Sequence, residues 1–260
     1  MQSSSARSLK VRLSSAVVIP ARLHSSRLPK KLLLAETGKP LIQHTYEATL
    51  AATHPSSVIV ATDHDSIMQA VNGFGGTAKM TSVSCASGTD RVAEIARDLS
   101  DIDVIVNVQG DEPEISGTAI DQLVYLLESN PAVSMATLAT PIRDRAKLDD
   151  PACVKVVCNE QNQALYFSRS MIPFAREWND DLLLQNPPLF LQHVGIYAYR
   201  RDFLLRLAET PVSTLESVEN LEQLRVLSMG ETIAVGVIDE PSIGIDTPED
   251  YALFVSKTTS

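Results

Sequence analysis

Short apolar runs alternate with segments of helical periodicity along most of the chain. The runs are almost continuously apolar and rich in Val and Ile, which is typical of strands covered on both faces of a sheet. Patterning predicts strands over 16–20, 57–62, 77–81 and 103–109, and amphipathic helices over 39–53, 88–99 and 115–130. Thr89 and Asp90 stand near the start of the second helix and are suited to capping it.

The alternation of strand and helix predicts an α/β fold with a mostly parallel sheet and helices on both faces. In such sheets ligands bind at the carboxyl ends of the strands. The C-terminal half is embellished: a strand over 132–140, a hairpin turning at 159–162, irregular Pro-rich sequence over 172–188, a strand over 193–199, a helix over 214–230, a strand over 232–238 and a last helix from Thr247. We expect a disordered tail over 1–14 and a single domain over 15–260.

Composition narrows the classes of partner. The formal net charge of −10 disfavours nucleic acid, because binding a phosphate backbone needs a broad basic surface. No apolar run approaches the roughly 20 residues that a membrane-spanning helix requires, so no membrane partner is expected. Three cysteines without a CxxC pair suit a reducing compartment.

Positive charge is concentrated at the end of the first predicted strand. The first 35 residues contain seven Lys and Arg and no Asp or Glu, although the whole chain is acidic. A loop after the first strand of such a sheet is where phosphates bind. The chain has no GxGxxG or GxxxxGK[ST] motif, so side chains would have to neutralise a phosphate. The candidates are Arg22, Arg27, Lys30 and Lys31, and a solvated basic loop is an equal alternative.

Two further segments carry carboxylates. In "VNVQGDEPEI" a buried strand ends at Gln109, and Asp111 and Glu112 follow directly. In "PSIGIDTPEDY", Asp246 precedes a helix that starts at Pro248. Carboxylates at a strand end suit Mg²⁺, which is held by one or two carboxylates plus substrate phosphates. An ordinary acidic turn and a helix cap are the alternatives.

The motifs in order resemble one enzyme family. "VIPAR", "SRLPKK", "ASGTDR", "VNVQGDEP", "ALYFSR", "HVGIYAYR", "LEQLRVL" and "GIDTPEDY" are similar to those of the 3-deoxy-D-manno-octulosonate (Kdo) cytidylyltransferases, from about Val17 to Tyr251. The resemblance implies a single-domain nucleotide-diphospho-sugar transferase-like fold, and transfer of CMP from CTP to Kdo with release of pyrophosphate. It also implies Mg²⁺ dependence, a homodimer, a role in lipopolysaccharide biosynthesis and, with that role, a cytoplasmic location.

The resemblance also assigns roles to individual residues. Arg22 and Lys31 would bind the CTP phosphates, and Asp111 and Asp246 would hold the metal. The cytosine and ribose would lie against Ser87, Gly88, Thr89, Arg91 and Gln109, and Kdo against Arg169, His193, Tyr197, Glu222 and Gln223. His193 and Tyr197 are four apart on a predicted strand and face one side, as a satisfied core pair would also do.

The chain departs from the family pattern RLPGKPL, which here reads RLPKKLL. Lys30 therefore replaces a Gly, which matters if that position needs a positive φ. Lys30 could also share the role of Lys31. Two other functions stay open: a cytidylyltransferase for sialic acid or an 8-amino Kdo relative, and a catalytically silent nucleotide-binding protein.

Overall fold

The computed structural model describes residues 12–25, 27–239 and 243–259. Its strands are β1 (Ser15–Ala21), β2 (Val58–Thr62), β3 (Ala78–Met80), β4 (Val104–Asn107), β5 (Met135–Pro141), β6 (Lys155–Cys158), β7 (Ala164–Ser168), β8 (Leu191–Arg200) and β9 (Ile233–Val237). Its α-helices are α1 (Leu41–Thr49), α2 (Asp65–Gly73), α3 (Gly88–Arg97), α4 (Gly117–Ser129), α5 (Arg145–Asp149), α6 (Arg201–Glu209), α7 (Thr214–Glu219), α8 (Gln223–Ser228) and α9 (Pro248–Thr258). Short 3-10 helices span Lys31–Leu33 and Asp180–Leu184.

One sheet contains all the strands of the described residues, in the order β3-β2-β1-β4-β8-β5-β9, with β6 pairing to β7 and β8. β8 runs antiparallel to β4 and β5, whereas the other pairs along this order are parallel. The predicted α/β class with a mostly parallel mixed sheet is confirmed. The hairpin predicted around 159–162 is confirmed as β6 and β7.

Helices cover both faces of the sheet, as the apolar runs predict. Val17 and Ile19 belong to one buried apolar cluster, together with residues of α1 and α4. Val18 belongs to another cluster, with residues of α3 and α6. Neighbouring side chains of a strand point to opposite faces. Each cluster therefore fills one face of the sheet, and the edge where the strands end is left to the loops.

The predicted tail over 1–14 lies mostly outside the described residues, which begin at Arg12. Ser14 is part of the domain, because its backbone N–H and its hydroxyl both donate to the Asp103 carboxylate, at 2.9 and 2.8 Å. Among the described residues, no helix is long and apolar enough to span a membrane.

The helix predicted over 214–230 is wrong as a single element. It is divided into α7 and α8 at Asn220, which has φ 53° and ends α7 in the left-handed conformation. Asn tolerates that conformation better than most residues, because its short polar side chain bonds locally. The break turns the segment from Leu221 to Gln223 towards the sheet edge, where two predicted sugar ligands stand.

Candidate active site

Loops from distant parts of the chain meet at the carboxyl edge of the sheet. The loop after β1, the N-terminus of α3, the loop after β4 and the segment before α9 enclose a cavity of about 780 Å³. Its charged lining residues are Arg22, Arg27, Lys31, Arg91, Asp111, Glu222 and Asp246. The predicted nucleotide ligands Ser87, Gly88 and Gln109 line it as well. The position agrees with the rule that ligands bind beyond the carboxyl ends of parallel strands.

Lys31 joins the two predicted metal ligands. Its ammonium contacts the Asp111 carboxylate, and it donates to Asp246 Oδ1 at 2.9 Å and to the Ile245 carbonyl at 3.1 Å. Although burial opposes the charged form, the two carboxylates raise the pKa of Lys31 above its ordinary value. The Ile245 N–H donates to the Asp111 carbonyl at 2.8 Å, which holds the two acidic segments side by side.

Asp111 and Asp246 fit a divalent cation, because both carboxylates reach the same positive atom. Within 12–25, 27–239 and 243–259, no cluster of three or more His, Cys, Asp or Glu could hold a metal by itself. The pair therefore has the composition of a Mg²⁺ site whose remaining ligands come from water and substrate phosphates.

The N-terminus of α3 opens onto this cavity. Ser87 is its N-cap, and with Asp90 it forms a reciprocal capping box, in which each side chain accepts a hydrogen bond from the other's backbone. The expectation that Thr89 and Asp90 cap this helix is confirmed for Asp90, whereas the N-cap is Ser87, two residues before Thr89. Unpaired N–H groups and the helix dipole make such an end attractive to phosphates.

Arg91 is held by the protein itself. Its guanidinium donates to Asp63 at 2.7 Å and to the Thr81 hydroxyl, and the side chain is almost fully buried. These partners lie after β2 and β3, so Arg91 ties the N-terminal part of α3 to the two loops that follow these strands. It supplies positive potential to the cavity wall from a fixed position.

Lys30 has φ 54°, in the left-handed region, directly before the 3-10 helix that carries Lys31. The position does need a positive φ, which explains why the family pattern has Gly there. Lys30 itself is exposed and is absent from the lining of the cavity, whereas Lys31 points into it. Lys31 is therefore the residue of the pair that meets the acidic groups.

A second cavity of about 700 Å³ adjoins the first along β8. It contains four of the predicted sugar ligands: His193, Tyr197, Glu222 and Gln223. Gly88, Gln109, Glu222 and Asp246 line both cavities. Of the acidic pair, Asp111 and Asp246, only Asp246 thus stands with Glu222 where the two cavities join, whereas Asp111 lines the first cavity alone.

A bulge in β8 brings two of these residues together. Thr137 pairs with Tyr197 and Ala139 pairs with His193, so a step of two residues along β5 corresponds to a step of four along β8. The ring centroids of His193 and Tyr197 are 5.5 Å apart. The predicted common face is confirmed, and the bulge brings the rings closer than a regular strand would.

The protonation of His193 is set by its surroundings. Burial lowers its pKa to about 3, so the ring is neutral at ordinary pH. Its Nε2 lies 3.0 Å from the Thr137 hydroxyl, which donates to backbone carbonyls, at 2.8 Å to that of Ile196. With its one proton placed on the Ile196 carbonyl, the hydroxyl oxygen accepts from Nε2–H, and in that tautomer Nδ1 is the acceptor of the ring.

Hydrogen bonds also connect the predicted ligands of the two cavities. The Thr89 hydroxyl donates to the Glu222 carboxylate, which fixes α3 to the segment before α8. Gln109 Nε2 donates to Asn107 Oδ1 at 3.2 Å. Gln223 Nε2 is buried and has no hydrogen-bond partner among the described residues.

Arg169 lies apart from the other predicted sugar ligands and does not line the cavity. Its side chain donates to the carbonyls of Glu219 at 2.8 Å, Pro151 at 3.1 Å and Asn220 at 3.4 Å. Asn220 and Ala152, the neighbour of Pro151, do line the cavity. In this structure Arg169 thus supports two pieces of the cavity wall.

Several lining residues were not singled out from the sequence. His24 and Cys85 line the first cavity, and Lys147 and Gln192 line the second. Burial, followed by the hydrogen bond to Glu94, raises the pKa of the Cys85 thiol to about 11. No motif marks Lys147 or Gln192, because they reach the cavity only through the pairing of β5, β6 and β8.

At this edge of the sheet, positively charged side chains and carboxylates meet where two polar cavities adjoin. Such a site suits an enzyme that brings a phosphorylated substrate to a second, polar substrate. The chain belongs to the cytidylyltransferase family, whose model matches residues 16–233.

Within that family the chain is similar to cytidylyltransferases whose names refer to manno-octulosonate sugars. A 3-deoxy-manno-octulosonate cytidylyltransferase of Rhodopirellula baltica is 48% identical over 245 residues, covering 94% of this chain and 98% of that protein. An 8-amino-3,8-dideoxy-manno-octulosonate cytidylyltransferase of Shewanella baltica is 46% identical over 237 residues, with 90% and 94% covered. The solved structure of CMP:2-keto-3-deoxy-manno-octonic acid synthetase complexed with CTP matches with a TM-score of 0.87 and 41% identity, covering 94% of this chain and 98% of that one.

Proposed function

We propose that this protein transfers CMP from CTP to the anomeric hydroxyl of Kdo and releases pyrophosphate. The observation that carries the proposal is the convergence of Lys31, Asp111 and Asp246 in the first cavity, at the point where Asp246 also lines the second. The triphosphate would lie in the cavity with Arg22 and Lys31, and the sugar in the cavity along β8. The α-phosphorus would then meet the sugar hydroxyl at the junction.

The charges of the junction suit that reaction. Kdo and CTP are both anions, and they cannot approach each other without cations between them. Asp111 and Asp246 would hold Mg²⁺, which when bound supplies charge neutralisation and orientation of the attacking and leaving oxygens. Arg22, Lys31 and the α3 N-terminus would stabilise the charge that grows on the departing pyrophosphate.

The nucleoside would lie against Ser87, Gly88, Thr89 and Gln109, with Arg91 behind them. The sugar would be held by His193, Tyr197, Glu222 and Gln223. A His193 with a pKa near 3 is a weak base, so we assign its Nδ1 to accepting a hydrogen bond from a sugar hydroxyl. Glu222 would accept from another hydroxyl, and Gln223 Nε2 would gain the partner it lacks.

Arg169 is proposed to act on Kdo binding through the wall it supports. A guanidinium suits a carboxylate, but the three carbonyls hold it outside the cavity lining. Arg169→Ala should raise the KM for Kdo much more than the KM for CTP. Equal effects on both constants would contradict this role.

The remaining proposals rest on the family resemblance. We propose a homodimer, which light scattering on the purified chain would test. We also propose a cytoplasmic location and a role in lipopolysaccharide biosynthesis, and the three free thiols suit a reducing compartment.

The deciding experiment is release of pyrophosphate from CTP and Mg²⁺ with Kdo, with sialic acid, with the 8-amino sugar and with no sugar. Release that requires Kdo and is abolished by EDTA is the expected result. Release with sialic acid alone would keep the mechanism and overturn the assigned sugar ligands. CTP binding without release with any sugar would favour a silent nucleotide-binding protein.

A further inference from the structure

The second cavity contains two amide side chains with buried atoms that lack partners. Gln192 Oε1 and Gln223 Nε2 are both buried, and neither has a hydrogen-bond partner among the described residues. Both side chains line the same cavity. An unpaired buried polar atom costs free energy, so two of them in one wall indicate groups that a ligand satisfies. Gln223 belongs to the proposed Kdo set, whereas Gln192 has no assigned role.

Gln192 stands at the end of the cavity remote from the acidic pair. It pairs with Thr140 at the end of β5 and with Lys155 on β6. Asp111 follows β4, and β8 lies between β4 and β5. Tyr197 pairs both with Asn107 at the end of β4 and with Thr137 on β5, so Gln192, opposite Thr140, lies three β5 residues, roughly 10 Å, beyond the last residue of β4.

Lys147 stands at this remote end too. It lies on α5, which follows β5, and its side chain is exposed towards solvent at the cavity wall. Among the described lining residues it is the only Lys or Arg. The carboxylates of the lining, Glu112, Glu222 and Asp246, belong to the loop after β4 or to segments that also line the nucleotide cavity. Charge is therefore segregated along the cavity.

The chemistry of the sugar sets its direction in the cavity. In Kdo the attacking hydroxyl and the carboxylate are attached to the same carbon, so both stay near the acidic pair and its cations. The exocyclic tail is attached at C6, on the other side of the ring oxygen from that carbon, and its terminal hydroxyl at C8 is separated from that carbon by more bonds than any other hydroxyl of the sugar. The tail therefore extends towards Lys147 and Gln192.

We propose that Lys147 and Gln192 form the sugar-tail subsite and select a neutral hydroxyl at C8 over an ammonium. This inference rests on the proposed function. The Gln192 amide accepts a hydrogen bond from the terminal hydroxyl. An ammonium in the same place faces the like charge of Lys147, which costs binding free energy at short range.

The test is the ratio of kcat/KM for Kdo to that for the 8-amino sugar, with CTP saturating, at pH 7. The wild type should favour Kdo by at least tenfold. Lys147→Glu should shift the ratio at least tenfold towards the amino sugar, without changing the KM for CTP. Gln192→Met should lower kcat/KM for Kdo about tenfold, since it removes the acceptor at similar volume.

Lys257→Glu on α9 is the matched control, because it makes the same change of charge outside both cavities. It should leave the ratio within twofold of the wild-type value. A wild type that favours the amino sugar, or a Lys147→Glu ratio within twofold of wild type, would overturn the inference while leaving CMP transfer intact. Turnover of neither sugar would contradict the proposed function, and this inference with it.

Discussion

Lys30 bears a local conformational cost next to the residue that meets the acidic pair. A side chain with a Cβ in the left-handed region costs about 1–2 kcal/mol relative to the right-handed one. Lys30 directly precedes the 3-10 helix that carries Lys31 and the buried Leu32, so its backbone conformation sets the direction in which that helix begins. The loop keeps its shape because Lys31 is bound at three points.

Lys30→Gly should therefore stabilise the protein. Glycine removes the conformational cost of the positive φ. Its greater freedom in the unfolded chain offsets part of that gain in stability. We expect a rise of about 0.5–1 kcal/mol in the free energy of unfolding, measured by urea denaturation. Lys30→Ala is the control, because it removes the charge and keeps the Cβ. Equal stabilisation by Ala and Gly would show that charge, and not φ, decides.

His193 makes stability depend on pH. Its pKa in the folded protein, about 3, lies below the ordinary value of 6.5, because burial disfavours the charged ring. The unfolded chain therefore binds a proton below pH 6.5 that the folded chain does not. The stabilising contribution is complete above pH 6.5 and is lost as the pH falls from 6.5 towards 3.

Urea unfolding at pH 7 and pH 5 would measure this contribution. From the slope of about 1.36 kcal/mol per pH unit, His193 should account for about 2 kcal/mol of the stability lost between these values. In His193→Gln that part of the loss should disappear. The exposed His24 is the comparison, and His24→Gln should lose stability as the wild type does. An unchanged loss in His193→Gln would contradict the assignment.

At the scale of elements, a buried ion pair joins α7 to α8 around the break at Asn220. Arg225 Nε donates to Glu216 Oε2 at 2.7 Å, and Nη2 donates to the other carboxylate oxygen at 2.5 Å. Both residues are buried. The pair closes the corner that carries Glu222 and Gln223, so it determines where two proposed sugar ligands stand.

Arg225→Met should destabilise the protein by about 3–5 kcal/mol, because it leaves Glu216 buried without its partner. The KM for the sugar should rise more than the KM for CTP. Urea unfolding and steady-state kinetics would measure both effects. Lys39→Met, which breaks the exposed ion pair with Glu47, should cost less than about 1 kcal/mol. A similar cost for both variants would mean that the buried pair does not hold the corner.

At the scale of the whole molecule, the nucleotide cavity joins segments that follow β1, β4 and β9 to the start of α3. Ligand that binds only the folded state stabilises all of these segments together. CTP with Mg²⁺ at about 100 times its dissociation constant should add about 2.7 kcal/mol to the free energy of unfolding. The thermal unfolding temperature should rise accordingly.

Asp111→Asn and Asp246→Asn should lose the Mg²⁺-dependent part of this rise and lower kcat at least about a hundredfold, with the unliganded fold retained. Differential scanning calorimetry with CTP in Mg²⁺ and in EDTA would separate the Mg²⁺-dependent part of the rise in unfolding temperature from the part that CTP produces alone. Asp98→Asn, at an exposed site outside the cavity, should behave as wild type. A full Mg²⁺-dependent rise in Asp111→Asn would exclude that residue as a ligand.

The sequence predicted most of the elements, because apolar periodicity is a local property of the chain. It also placed Asp111 and the basic loop at the carboxyl edge, because that follows from strand direction alone. The division of 214–230 into two helices could not be predicted in this way. Its helical periodicity continues across Asn220, and the turn there accompanies a contact between Glu216 and Arg225 that only the folded chain makes.

What the sequence alone determined is the α/β class, the edge at which the site lies and the residue types that suit the chemistry. Only the tertiary structure decided which of those side chains meet. Lys31 contacts Asp111 and Asp246 across 80 and 215 residues of chain, and Arg91 is held by Asp63 and Thr81. The bulge that stacks His193 near Tyr197 depends on the register of β8 against β5. Such pairings follow from how distant strands align and pack, which no local pattern of the sequence determines.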